Sequence, residues 1–168
     1  PDELIRDYND IIGLDLGCTD YMGISGPDDD LINPATGENY ERQQGILMGI
    51  KELEGEERML SPPPVRMGGV TDGTSETLMV TECTGRGTKS SDNPNGAWIS
   101  GKGITHIDRG VNEKKAKTSW DKEYIFSEHY GGANGVFVDG SVHFLSDNTA
   151  AEIIVSRCSR NGGELISE

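Results

Sequence analysis

Long hydrophobic runs are missing from this sequence. No stretch approaches the roughly 20 consecutive apolar residues that span a bilayer, and no signal peptide is visible. The chain opens on Pro1 instead of Met, so it reads as a fragment or processed form. Positive charge is scarce as well: 15 Lys and Arg stand against 29 Asp and Glu, a net charge of −14. Such a surface repels nucleic-acid phosphates, whose binding needs clustered cations, and it repels anionic lipid headgroups for the same reason. Aromatics make up 6% of the residues, so a core must be built from Val, Ile and Leu with a few large anchors. The three cysteines, Cys18, Cys83 and Cys158, are far apart and lack zinc-ligand spacing. In an exported protein two of them could pair and the third stay a buried thiol, and the spacing does not choose among the three pairs. Also absent are a zincin helix, a nucleophile elbow, a phosphate-binding loop and a dinucleotide fingerprint.

What the sequence has in abundance is glycine, 23 residues in 168, beside only 33% hydrophobic residues. That balance predicts short strands and many tight turns, with room for a real core in one domain. Residues 2–12 have the apolar spacing of a short amphipathic helix stopped by Gly13. Thr19–Ser25 reads as a strand ended by Gly26-Pro27, and an acidic loop runs from Asp28 to Asn39. Residues 45–53 are apolar enough for a strand or a buried segment, before Pro62-Pro63-Pro64 breaks regular structure. Asp72-Gly73 marks a local turn ahead of a strand at Leu78–Glu82. Residues 97–100 are strand-like, and 101–123 read as loop with a basic cluster at Lys114, Lys115 and Lys117, a solvated loop by default.

The last third is the most legible. Residues 135–145 alternate, reverse at Asp139-Gly140 and alternate again, which predicts a hairpin closed by a two-residue type I′ turn. That register places Phe137 opposite Val142 with Phe144 on their side, and both faces are apolar enough for a central or covered hairpin. A helix over about 148–160 follows, capped by Ser146 or Asp147, with Ala150, Ile153, Ile154 and Cys158 as its stripe. Asn161-Gly162-Gly163 ends it, and Leu165-Ile166 is a candidate edge strand.

Nine residues separate His129 from Asp139, with Gly131, Gly132 and Gly135 between. A catalytic reading makes His129 a base or metal ligand oriented by Asp139. The structural reading, which the need for Asp-Gly in the turn favours, has His129 bonding backbone in the approach loop. His143 alternates onto an apolar face and His106 has no companion. Asp28 and Asp30 are the calcium candidates of the acidic loop, although Ile32 and the lack of a following Gly break the EF-hand pattern.

The segment HYGGANGVFVDGSVHFL, residues 129–145, resembles the signature of the prepilin-type processing-associated H-X9-DG family, domain of unknown function 1559. VTDGTSETLMVTE at 70–82, TDYMG at 19–23 and SRCSRNGGELI at 156–166 resemble further segments of it, in order. The resemblance implies an α+β, β-rich pilin- or pseudopilin-like ectodomain with an antiparallel sheet, long Gly-rich loops and a short C-terminal helix. It implies one domain over 1–168, family-like from 19 onward and poorly matched over 1–18, with the hydrophobic N-terminal pilin helix absent from this chain. It further implies export to the cell surface, periplasm or exterior, and self-association or contact with other pilin-like subunits through that missing helix. Membrane attachment would run through the same segment; nucleic acid is not expected. The motif residues His129, Gly131, Gly132, Asp139, Gly140, Asp72 and Gly73 are then structural, no catalytic residue is assigned, and no cofactor is required beyond optional calcium. Two rival classes remain: an extracellular glycan or ligand binder using Trp98, Trp120 and Tyr124, and a metal-dependent hydrolase using His129, Asp139 and His106.

Overall fold

In a computed structural model of the chain, residues 19–48, 64–84, 103–113 and 124–164 are described. The expected helix at 2–12, the strand-like piece at 97–100, the basic cluster and Leu165-Ile166 lie outside these residues, as do Cys18, Trp98 and Trp120. Within them, five strands form one sheet: β1 Tyr21–Pro27, β2 Leu78–Glu82, β3 Ile104–Ile107, β4 Gly132–Phe137 and β5 Val142–Ser146. A short helix, α1, spans Ala151–Ser156. The strand order is β3-β1-β2-β4-β5. The architecture is therefore α+β and β-rich, but the sheet is mixed. β1·β2, β2·β4 and β4·β5 are antiparallel, whereas β1·β3 is parallel.

Alternation explains which face is buried. Met22 and Ile24 of β1, Leu78 and Thr81 of β2, Ile107 of β3, Ala133 and Phe137 of β4, and Leu145 of β5 are all buried. Ile154, Val155 and Cys158 join them from α1 and the turn after it, so the helix covers that face and packs on β1. The opposite face carries Tyr21, Val80, Val136, Val142 and Phe144, exposed or half-buried. The full burial of one such aliphatic or aromatic side chain contributes about 1.5–3 kcal/mol, so the helix-covered face dominates stability.

Several local expectations need correction. β1 ends at Gly26-Pro27 but includes both residues instead of stopping at Ser25, with a register shift against β3 between Ile24 and Gly26. Residues 45–48 are not a strand. They cross β1 as bent backbone, with Gly45 N donating to Ser25 O at 2.6 Å and Leu47 N to Ile24 O at 3.1 Å. A Cβ on Gly26 would sit 2.7 Å from Gly45 N, so only glycine permits this crossing. Part of the presumed loop 101–123 is strand β3, a four-residue stretch whose pairing to β1 is entirely non-local.

The helix is also shorter than its stripe suggests, and neither Ser146 nor Asp147 caps it. Its N-cap is Ala150 without a side-chain bond. Ser146 instead holds the preceding turn, its Oγ accepting from Asn148 N and its carbonyl from Thr149 N. At the other end, carbonyls that would continue the helix are taken elsewhere. Leu78 N donates to Arg157 O at 2.7 Å and Asp72 N to Arg160 O at 3.2 Å. Tertiary bonds from the β2 approach thus unwind the last turns.

Candidate functional site

The hairpin around Asp139-Gly140 differs by one residue from its expected register. A type I′ turn needs positive φ at both central residues, but only Gly140 has it, at 87°. Gly140 N donates to Phe137 O and Phe137 N to Ser141 O, both at 2.9 Å. This is the three-residue loop, a type I turn followed by a left-handed glycine. Val142 consequently pairs with Val136, not Phe137, and His143 pairs with Gly135. A one-residue shift exchanges the faces of a strand. Phe137 turns inward with Leu145, its ring edge-on to His143 at 5.0 Å, while Val142 and Phe144 turn outward at 63% and 52% exposure. The hairpin is not central, because β5 is the sheet's edge.

Asp139 satisfies its own turn. Its Oδ1 accepts from Ser141 N at 2.8 Å and Ser141 Oγ at 2.6 Å, and the Ser141 hydroxyl and amide hold its carboxyl below the ordinary value. The turn is tied in turn to the second Asp-Gly segment: Val138 N donates to Thr77 O and Asp139 N to Thr74 O, each at 3.0 Å. Gly73, at φ 102°, presents its carbonyl to Thr77 N and Thr77 Oγ1. Asp72 lies in the expected local turn, but its side chain is used elsewhere. Its carboxylate reaches ninety residues along the chain, accepting from Gly162 N at 2.7 Å and Gly163 N at 3.0 Å. Three separate sequence segments, 72–77, 137–141 and 157–163, therefore meet at one end of the sheet.

His129 stands at the other end of β4. Six strand residues at about 3.3 Å each put roughly 20 Å between it and the Asp139 turn, so the two cannot orient one another. Its partner is Glu82, at the end of β2: His129 Nε2 lies 3.2 Å from Glu82 Oε1. Glu82 is buried, at 6% exposure. It accepts Asn134 N at 2.6 Å on Oε2, with Asn134 Nδ2 at 3.4 Å. Burial works to raise its pKa, but the Asn134 amide, the Asn134 and Ser127 side chains and His129 together outweigh it and leave Glu82 below the usual carboxylate value. His129 N also donates to Ser127 Oγ at 3.1 Å. The imidazole itself is open, with 58% of its side chain exposed. Glu82 thus gathers the turn before β4, with Gly131 at φ 83° and Gly132 leading into the strand. Sequence reasoning passed over it. The available signal was an acid closing an apolar strand, LMVTE, where a buried carboxylate must find donors.

The remaining candidates do not converge. His106 is on β3, at the far edge of the sheet from β5, with Nδ1 3.4 Å from Ser25 Oγ. His143 Nε2 bonds Ser141 Oγ at 2.9 Å. Asp28 and Asp30 form an exposed turn in which Asp30 N donates to Asp28 Oδ1. Among the described residues no three His, Cys, Asp or Glu side chains are grouped as a metal site. Tyr124 is packed instead of open for stacking: it is buried, edge-on to Phe126 at 5.9 Å and under the Arg109 guanidinium at 5.1 Å. Cys83 and Cys158 are buried thiols, and Cys158 Sγ donates to Ile154 O. Among the described residues no helix is long and apolar enough to cross a membrane.

Fold and motif together define a small β-rich module whose signature residues sit at the two ends of one strand. The model of the family described as protein of unknown function DUF1559 matches residues 25–152, and the chain belongs to that family. No curated protein and no solved structure matches it.

Proposed function

We propose that the chain is the exported ectodomain of a pseudopilin-like protein with a structural or interaction role, a component or associate of a type IV pilus-like or type II secretion-like filament. The observation that carries this reading is how the motif is used. At one end His129 and Asn134 are bound to a buried Glu82, and at the other Asp139 is consumed by its own turn. Chemistry would need those groups to converge on a substrate; here they brace a strand. On this reading the protein is not an enzyme, needs no cofactor, and resides at the cell surface, in the periplasm or outside the cell. Contacts with other pilin-like subunits would run through a segment preceding Pro1.

The test is the gene sequence upstream of Pro1, followed by incubation of the full-length product with a prepilin peptidase. A short basic leader, then about 20 apolar residues, with cleavage at their junction, is the expected result. A full-length product with no such leader removes the basis for the pseudopilin role.

A further inference from the structure

The outer edge of β5 is built to accept another strand. Phe137 N donates to Ser141 O, and Asp147 N donates to Gly131 O. Hydrogen-bonded and non-hydrogen-bonded pairs alternate in an antiparallel ladder. Residues 141, 143, 145 and 147 therefore face β4, and the backbone groups of Val142, Phe144 and Ser146 point away from it. Among the described residues the outward N–H and C=O of Val142 and Phe144 and the N–H of Ser146 bond to nothing; only Ser146 O is used, by Thr149 N.

Folded proteins blunt such edges with lysines, prolines, bulges or a covering element. Val142–Ser146 has no lysine and no proline. The β4·β5 register runs from Gly132↔Ser146 to Val136↔Val142 without a shift, unlike β1·β3 near the opposite edge, which is irregular. The edge is also apolar where it is exposed. Val142 and Phe144 lie open on the outer face, and Tyr130, just before the strand pair, is fully exposed. Charge then selects the occupant. The edge strand contains no acid, but exposed Asp139 and Asp147 bracket it, and the whole chain carries −14. A second copy would bring the same two aspartates and another −14 to the contact.

We infer that β5 is a docking site for an extended segment of another polypeptide, neutral and apolar at alternate positions in its centre and basic at its ends. The segment adds a sixth strand. Its backbone pairs with Val142, Phe144 and Ser146, its apolar side chains lie beside Val142 and Phe144, and its basic ends face Asp139 and Asp147. Main-chain bonds then supply affinity and alternate side chains supply specificity. This inference does not depend on the pseudopilin reading, since a missing leader would remove that reading and leave β5 unchanged.

The probe is a fluorescein-labelled synthetic peptide, Arg-Lys-Val-Thr-Val-Thr-Val-Lys-Arg, followed by anisotropy and by amide NMR shifts of the protein. Binding is expected at low ionic strength, weakening as salt rises, with shifts centred on residues 142–146. Replacing the four basic residues by Glu should weaken it at least tenfold. Phe144→Pro deletes an outward N–H while keeping the ladder to β4, as an edge position allows, and should also cost at least tenfold. Phe144→Val, which keeps that N–H, should retain binding. A peptide N-methylated at its central amides should fail against the unaltered protein, which covers the case of a misfolded Phe144→Pro. Equal binding by the Phe144→Pro protein or by the N-methylated peptide would overturn the proposal. So would shifts lying elsewhere, or a concentration-dependent dimer that buries β5 and that the peptide does not dissociate.

Discussion

Replacing Glu82 by Gln tests whether the buried carboxylate, and not the exposed histidine, holds the start of β4. The substitution preserves size but leaves one acceptor oxygen where there were two. Oε2 now takes Asn134 N at 2.6 Å and Oε1 faces His129 Nε2 at 3.2 Å, so an amide can keep its oxygen on Asn134 N only by turning its NH2 toward the imidazole. Hydrogen bonds to a charged group are worth about 1.5–3 kcal/mol, and the half-buried Asn134 amide loses its charged acceptor in either orientation. A loss of about 2 kcal/mol follows, which for a chain of this length lowers Tm by about 4–8 °C. His129→Ala removes only the exposed partner and should cost under about 1 kcal/mol. The pH dependence has a definite sign. Glu82 titrates below its ordinary value of 4.5 in the folded state. Its contribution is therefore complete above that value and is lost as pH falls through the lower folded value. Thermal melts by circular dichroism from pH 7 to pH 3 should show the gap between parent and Glu82→Gln closing toward the acid end. A Tm change below about 1 °C at pH 7, or a gap that stays constant on acidification, would refute the reasoning.

Three further perturbations probe separate parts of the fold. Gly140→Ala adds a Cβ that meets no atom within 4 Å, so its cost is purely that of a left-handed backbone, about 1–2 kcal/mol; urea unfolding should show Gly140→Asn to be milder. Arg160→Ala removes two bonds from Nη1, to Gln43 O at 2.8 Å and Gly45 O at 2.7 Å. It should cost about 2–4 kcal/mol and speed amide exchange at Gly45 and Leu47, which mass spectrometry resolves. Glu164 behaves oppositely to Glu82: its carboxylate oxygens are buried and burial raises its pKa. Its penalty is absent at low pH and grows as pH rises through the raised folded value, so Glu164→Gln should stabilise the protein progressively from acid to neutral pH in the same melts.

The contrast between what could and could not be read from the residues follows the range of the interactions. β2 is found at Leu78–Glu82, as its apolar run indicates, and β1 begins within two residues of expectation because Met22 and Ile24 alternate inward. Asp139-Gly140 marks a hairpin correctly, yet the dipeptide suits both a two-residue I′ loop and a three-residue type I loop with a left-handed glycine. The choice is accompanied by bonds from Val138 and Asp139 to Thr77 and Thr74, more than sixty residues earlier, which no local pattern contains. β3 was hidden because ITHI is four residues set among polar ones and, among the described residues, pairs only with β1. Glu82 was hidden because its partners, His129 and Asn134, lie 47 and 52 residues away.

The register correction has the largest functional consequence. With a two-residue turn, Phe137, Val142 and Phe144 would share one face, and their burial would require a covered hairpin. With Gly140 as the extra left-handed residue, Phe137 alone enters the core while Val142 and Phe144 are displaced to the outer face. A single backbone angle thereby moves Val142 and Phe144 from the helix-covered face to the exposed one. The sheet order makes β5 an edge strand, and the glycine that completes the H-X9-DG motif decides which of its side chains that edge exposes. If Gly140 served the turn alone, any residue tolerant of positive φ could replace it without other effect. Because the strand faces depend on it, a substitution that shifts the loop to two residues would bury Phe144, leave the outward backbone groups of β5 in place and weaken peptide binding through the lost side-chain contacts, coupling the motif to the proposed docking edge.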